Sequence, residues 1–203
     1  MRRDVLAEDH TGDGDTPLDG TEVEGLIPSH LATRAELNQW EAKNIEAAMA
    51  WSSGRSIDVL ELDTLKELHR RMFGQTWTWA GEFRTSEKNI SPYSWPEVPR
   101  LVRDLLANAA TQHDAMIEDR DVLDELAARF HHELVRIHPW PNGNGRHGRL
   151  ATELLLRRWR RPPFTWGVAS GGADQIANRD RYLAALRRAD NGEFKQLYEF
   201  VRA

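Results

Sequence analysis

Residues 138–150 read "HPWPNGNGRHGRL" and gather imidazole, amide, glycine and guanidinium groups between two apolar runs. A glycine inside a helix costs about 1 kcal/mol relative to alanine, so Gly143 and Gly145 read first as a turn or a loop that binds through its backbone. With a helix ending near His138 and another starting at about 143–146, the free N–H groups of the new helix and its dipole make an anion site. Gly143 and Gly145 let a phosphate come close to the backbone, and Arg146 and Arg149, one turn apart, can both face it. His138 lies on the other side of the loop, and an imidazole with an ordinary pKa near 6.5 can take a proton from a hydroxyl at neutral pH. Taken singly, His138 reads as a helix-end or core histidine and the glycines as a plain turn. Together they read as a base beside a polyphosphate cradle, which is the chemistry of nucleotidyl or phosphoryl transfer.

Helices must position this loop. Thr33 with Glu36 forms a capping box, and Leu37, Trp40, Asn44, Ala48 and Trp51 share one face of the helix that follows. Leu62, Leu65, Leu68 and Met72 form the stripe of a second helix, which Gly74 ends. Helices follow at 96–116 and 121–137, the latter running straight into the loop; a helix leaves the loop and stops at Pro162 and Pro163. Two more fit at 174–189 and 193–202. Between the second and third helices, "QTWTWAGEFRTSEKNISPYSWPEVP" loses helical period and reads as an irregular segment or a short hairpin. The expected fold is therefore all-α with a short β-hairpin. Residues 1–28, acidic and rich in Gly, Asp and Thr, are expected to form a mobile arm or a draped peptide, with the domain at 29–203.

The 203 residues carry 40% hydrophobic and 29% charged side chains, no cysteine and a formal net charge of −5. That describes a water-soluble globular domain without disulfides, thiolate zinc sites or a thiol nucleophile. The acidic balance disfavours nucleic acid as a partner, and the basic runs "LHRRMFG" and "LLLRRWRR" read as solvated helix faces. No apolar run suits a membrane span or a signal peptide, so the expectation is a cytoplasmic protein. "HHELVRIH" does not have the H-E-x-x-H spacing of a zinc site.

The loop resembles the signature of the Fic (filamentation induced by cAMP) family, H-x-F-x-[DE]-G-N-G-R-x-x-R. His138, Gly143, Asn144, Gly145, Arg146 and Arg149 match, while Trp140 stands for the usual Phe and Asn142 for the usual acid. "WTWAGEFRT" is similar to the family's segment before its target-docking flap, and "DGDTPLDGTEVEGLIPSHLATRAELNQWE" resembles the subgroup called mobile mystery protein B. The resemblance implies a Fic-type helical core with a hairpin flap that transfers AMP from ATP to a Ser, Thr or Tyr hydroxyl of a target protein, with Mg²⁺ or Mn²⁺, and a helical regulatory partner.

Carried over by position, His138 is the general base; Asn144 with the N–H groups of Gly143 and Gly145 holds the α-phosphate, and Arg146 and Arg149 hold the outer phosphates. Trp140 anchors the loop by packing. Asn142 sits at the metal position with a neutral amide where a hard divalent cation prefers a carboxylate, which implies weak or indirect coordination. An alternative follows: a nucleotide-binding regulatory protein with little turnover. Asn89, Ile90 and Ser91 are the expected flap that pairs with a target segment by β-augmentation. Glu46 is the candidate for an inhibitory glutamate, with an ordinary exposed glutamate as the competing reading.

Overall fold

The computed structural model describes residues 18–31, 33–116, 119–167 and 175–203, without the side chains of Gln175 and Ile176. Its helices are α1 (Gly20–Glu24), α2 (Arg34–Ser52), α3 (Leu62–Phe73), α4 (Val98–Met116), α5 (Arg120–Ile137), α6 (Asn144–Arg158), α7 (Gln175–Asp190) and α8 (Lys195–Arg202). A 3-10 turn at Trp95–Glu97 leads into α4. None of the helices is long and apolar enough to cross a membrane.

Local chemistry explains the starts and stops. The Thr33 side chain accepts from the N–H of Glu36 while Glu36 reaches back to the N–H of Thr33, so both ends of the capping box form. Gly74 ends α3, and its N–H bonds to the carbonyl of Arg70. Leu65, Leu68 and Met72 are fully buried, so the stripe read from the spacing is the face that packs.

α5 and α6 pack against each other as the central pair, with α4 on α5, α2 on α3 and α7 on α8. Gly148 permits the close approach of α5 to α6, because a Cβ there would lie 3.0 Å from Val135 Cγ2. The α5–α6 pair fixes the loop, since the chain leaves α5 at Ile137 and enters α6 at Asn144.

Two expectations change. No hairpin forms among the described residues: 85–94 run as bends and one turn, and the nearest thing to a sheet is a single antiparallel bridge between Leu26 and Trp77. Side chains take the bonds a ladder would need: Arg84 binds the carbonyls of Ser86 and Tyr93, and the N–H of Tyr93 donates to Ser91 Oγ. Pro92 has no N–H to offer. Of the stretch expected as an arm, residues 1–17 lie outside the described residues, whereas Leu18 and Val23 are core residues and Asp19 caps α1.

Candidate active site

The loop rests on a buried aromatic floor. Trp140 is completely buried between the rings of His69, centroids 4.5 Å apart, and Phe83, 5.2 Å apart. His69 Nδ1 accepts the N–H of Gly81 at 2.9 Å, so its Nε2 carries the proton and donates to the carbonyl of Asn142 at 3.1 Å. His147 does a similar job from α6: its Nδ1 accepts the indole N–H of Trp140 and its Nε2 donates to the carbonyl of Leu65. Burial pushes His147 down to about 4 and His69 well below the ordinary imidazole range, so both are neutral struts.

Asn144 clamps the turn. Its Oδ1 accepts the N–H of Trp140 at 2.9 Å and its Nδ2 donates to the carbonyl of Trp140 at 2.8 Å. Both polar atoms of this buried side chain close the loop, a clamping role beside the phosphate role that the resemblance implies. Gly143 is required twice over. Its φ of +80° lies in the left-handed region, and a Cβ would fall 2.5 Å from the Phe73 ring. Its N–H donates to Asn142 Oδ1, so this donor too is spent within the loop. Gly145 differs, with nothing closer to its Cβ position than Tyr182 Oη at 3.9 Å. Among the described residues no side chain caps α6, which leaves the first helical N–H groups, those of Asn144, Gly145 and Arg146, as anion donors.

His138 caps α5 in the left-handed region, at φ 55° and ψ 60°. That conformation costs a non-glycine residue about 1–2 kcal/mol and survives because neighbours fix it. Arg84, buried to 1% exposure, donates from Nε to the carbonyl of His138 at 2.9 Å, and its own N–H reaches the carbonyl of Pro139 at 2.8 Å. A hydrogen bond with the backbone of Val135 holds the imidazole, and that carbonyl fixes which nitrogen keeps the proton and which can accept one. His138 is only 4% exposed. Burial, with the positive charges of Arg84 and Lys88 adding to it, pushes it down to about 3.

The two loop arginines have different surroundings. Arg146 Nη1 donates to Glu41 Oε2 at 2.6 Å and its guanidinium lies over the Phe73 ring. Glu41 Oε1 accepts the indole N–H of Trp77 at 2.6 Å, and the carboxylate is buried. Arg149 lies over the Tyr182 ring, 5.3 Å from its centroid.

Above the loop, Asn89 and Ile90 form an exposed turn. Ser91 points inward, where its Oγ lies 3.0 and 3.1 Å from the carbonyls of Arg136 and Ile137 at the end of α5. Of the three expected docking residues, two face outward and the third is an anchor.

The Fic/DOC family model matches residues 59–156. Those residues are a Fic/DOC family domain. The chain is 30% identical over 146 residues to the "Protein adenylyltransferase Fic" of Nematostella vectensis, a match covering 70% of this chain and 31% of that one. It is 29% identical over 149 residues to the "Protein adenylyltransferase fic-1" of Caenorhabditis elegans, covering 71% and 27%. The chain thus spans about a third or less of the curated relatives it matches. Among solved structures, a piece of C. elegans Fic-1 superposes with a TM-score of 0.62 at 26% identity, covering 90% of this chain and 52% of that one. BepC of Bartonella tribocorum, solved with bound AMPPNP, gives 0.68 over 91% and 97% at 15% identity, which shows the fold alone.

In this Fic domain the metal expected from the resemblance does not fit the residues as they stand. Asn142 Oδ1 is turned onto the N–H of Gly143, with Arg146 Nη2 3.5 Å away, so the amide oxygen faces donors and a cation rather than an open coordination position. Among the described residues no three His, Asp or Glu side chains gather as metal ligands.

Three residues of the site escape the motif. Glu41 shows a signal in the sequence: it falls on the buried stripe of α2 with Leu37 and Ala48, where a carboxylate must find a partner. Glu46 lies about 140° further round the helix and is exposed, as the reading of it as an ordinary exposed glutamate expects, and the carboxylate that meets a motif arginine is Glu41. His69 and Arg84 act over separations of 73 and 54 residues, and no local pattern announces them.

Proposed function

We propose that this Fic domain is a protein adenylyltransferase that moves AMP from ATP to a Ser, Thr or Tyr hydroxyl of a target protein. The observation that carries the reading is His138, its tautomer fixed by Val135, placed beside the uncapped N-terminus of α6. In the reaction the hydroxyl oxygen bonds to the α-phosphorus as the bond from that phosphorus to the α,β-bridging oxygen breaks. Pyrophosphate leaves, and the hydroxyl proton passes to the free nitrogen of His138. The N–H groups at the head of α6 receive phosphate oxygens, and Arg146 and Arg149 neutralise the outer phosphates. A base held near pKa 3 is weak, and the negative charge of a bound polyphosphate raises it toward neutrality, so the base strengthens when nucleotide arrives. No step in this reading runs through a metal ion.

Glu41 gives the resting state its character. A phosphate that approaches Arg146 meets a guanidinium already paired with a carboxylate 2.6 Å away, so Glu41 competes with the nucleotide from inside the fold. A binding protein without turnover has no need of a tautomer-fixed imidazole at this place, which favours the enzyme. The resemblance of residues 13–41 and 138–147 to the mobile mystery protein B subgroup supports membership of it, and that subgroup suits a helical regulatory partner; a cytoplasmic setting belongs to the same reading.

The test is mass spectrometry of lysate proteins incubated with ATP and the chain. The reading expects one adenylyl group on a Ser, Thr or Tyr side chain. A phosphoryl group at those positions would replace it with phosphoryl transfer.

A further inference from the structure

Glu22 of α1 is a buried carboxylate on an element that the family match does not include, and its side chain bonds two residues of the flap segment, Ser86 and Lys88. Its Oε2 accepts Lys88 Nζ at 2.5 Å and the N–H of Asp19 at 2.9 Å; its Oε1 accepts Ser86 Oγ at 3.0 Å. Its backbone carbonyl accepts the indole N–H of Trp79 at 2.9 Å. The Glu22 and Lys88 side chains are 8% and 3% exposed. Behind them the segment is sewn to the chain after α3 by the Leu26–Trp77 bridge, through bonds from the N–H of Ile27 to Thr76 and of Thr78 to Gly25. Gly25 packs so closely there that a Cβ would lie 2.6 Å from Trp79.

Burying an ion pair is a poor way to gain stability, because desolvation offsets most of the attraction, but it admits few alternative geometries. This pair stands next to the exposed tip. Lys88 immediately precedes Asn89 and Ile90, and Ser91, immediately after them, is fixed to the last carbonyls of α5 just before His138. The tip is therefore a two-residue span between two anchors, one on α1 and one on the helix that carries the base.

We infer that Glu22 is a positioning residue for target docking, which through Lys88 and Ser86 sets where the Asn89–Ile90 tip stands over His138. The inference rests on the adenylyltransferase reading for its functional consequence and on geometry for the rest. It makes the segment around α1 part of the target-recognition apparatus rather than an appendage.

The test compares the full chain with the neutral pair Glu22→Gln/Lys88→Met and the exchanged pair Glu22→Lys/Lys88→Glu. Three quantities are read: affinity for a non-hydrolysable ATP analogue, the lysate concentration giving half-maximal transfer of α-label, and amide hydrogen exchange at residues 86–93. For the neutral pair the expectation is unchanged analogue affinity, faster exchange at 86–93 and a half-maximal concentration raised about tenfold, since a shift of about 1 Å in a positioned group can cost about a hundredfold. The exchanged pair should recover part of the loss. An unchanged half-maximal concentration with unchanged exchange overturns the inference, as does a parallel fall in analogue affinity, which marks a general loss of stability. If the neutral pair does not fold, Ser86→Ala removes one bond and should give the same split at smaller size. If the wild type transfers no label, the adenylyltransferase reading fails, and exchange at 86–93 alone decides whether Glu22 holds the flap.

Discussion

Two loops meet across His138. Residues 138–144 lie on stacked rings and are closed by bonds from Asn144, His69 and His147, all buried. Residues 84–94 are held at Arg84, Ser91 and the Glu22–Lys88 pair, and between those points Asn89 and Ile90 stand in solvent. On the proposed function, the half that would take nucleotide is built before any ligand arrives, whereas the half that would meet a target is a short exposed span on fixed posts. A bound phosphate needs one geometry, while a protein segment must be met at a surface.

That contrast can be broken at several points. Acid should act on the floor with the largest effect. His69, His131, His138 and His147 are buried with pKa values pushed below the unfolded value near 6.5, to about 3 for His131 and His138 and about 4 for His147. The unfolded chain therefore binds more protons below pH 6.5, and each neutral histidine gives a slope approaching about 1.4 kcal/mol per pH unit as pH falls toward its folded value. Denaturant unfolding should show stability intact above pH 7 and falling steeply from pH 6 to 4. The same burial should leave kcat/KM, which reports the free chain, without an acid limb near 6.5 wherever the chain stays folded, while kcat, with polyphosphate beside His138, should show its acid limb shifted up toward neutrality.

Gly143→Ala should cost about 2–5 kcal/mol in urea unfolding, combining left-handed strain with overpacking on Phe73. Glu41→Gln should tighten nucleotide binding about tenfold in calorimetry, since a hydrogen bond to a charged group is worth about 1.5–3 kcal/mol. Gly145→Ala sharpens the comparison: with no more than an ordinary contact to Tyr182 Oη at 3.9 Å, it should leave stability equal or improve it by up to about 1 kcal/mol, while a methyl at the head of α6 weakens nucleotide binding. Ile90→Ala should do least, shifting stability by less than about 0.5 kcal/mol in urea unfolding. Its effect should show only in the lysate concentration needed for transfer.

Legibility in the sequence follows the same division. The helices, the Thr33 capping box and the residues of the loop could be read because spacing and local chemistry set them. The loop's supports could not, since His69 and Arg84 come to it from far along the chain. The clamp made by Asn144 is not legible for a related reason: an amide in a glycine-rich loop suits a phosphate as well as a backbone, and only the fold shows both its polar atoms bonded to Trp140. The hairpin failed because β-forming residues say nothing about Arg84, a side chain that captures the carbonyls a ladder would use. α1 went unseen because five residues carry too little periodicity, and its role depends on Lys88, 66 residues away.

The most direct test of the central claim, that the loop around His138 transfers the adenylyl group, follows label from ATP carrying it at either the α- or the γ-phosphate into lysate protein, for the wild type and His138→Ala. The account predicts α-label on protein with the wild type, none from γ, and a loss of about a hundredfold or more with His138→Ala. Equal α-labelling by both chains, or label arriving from γ alone, would contradict it.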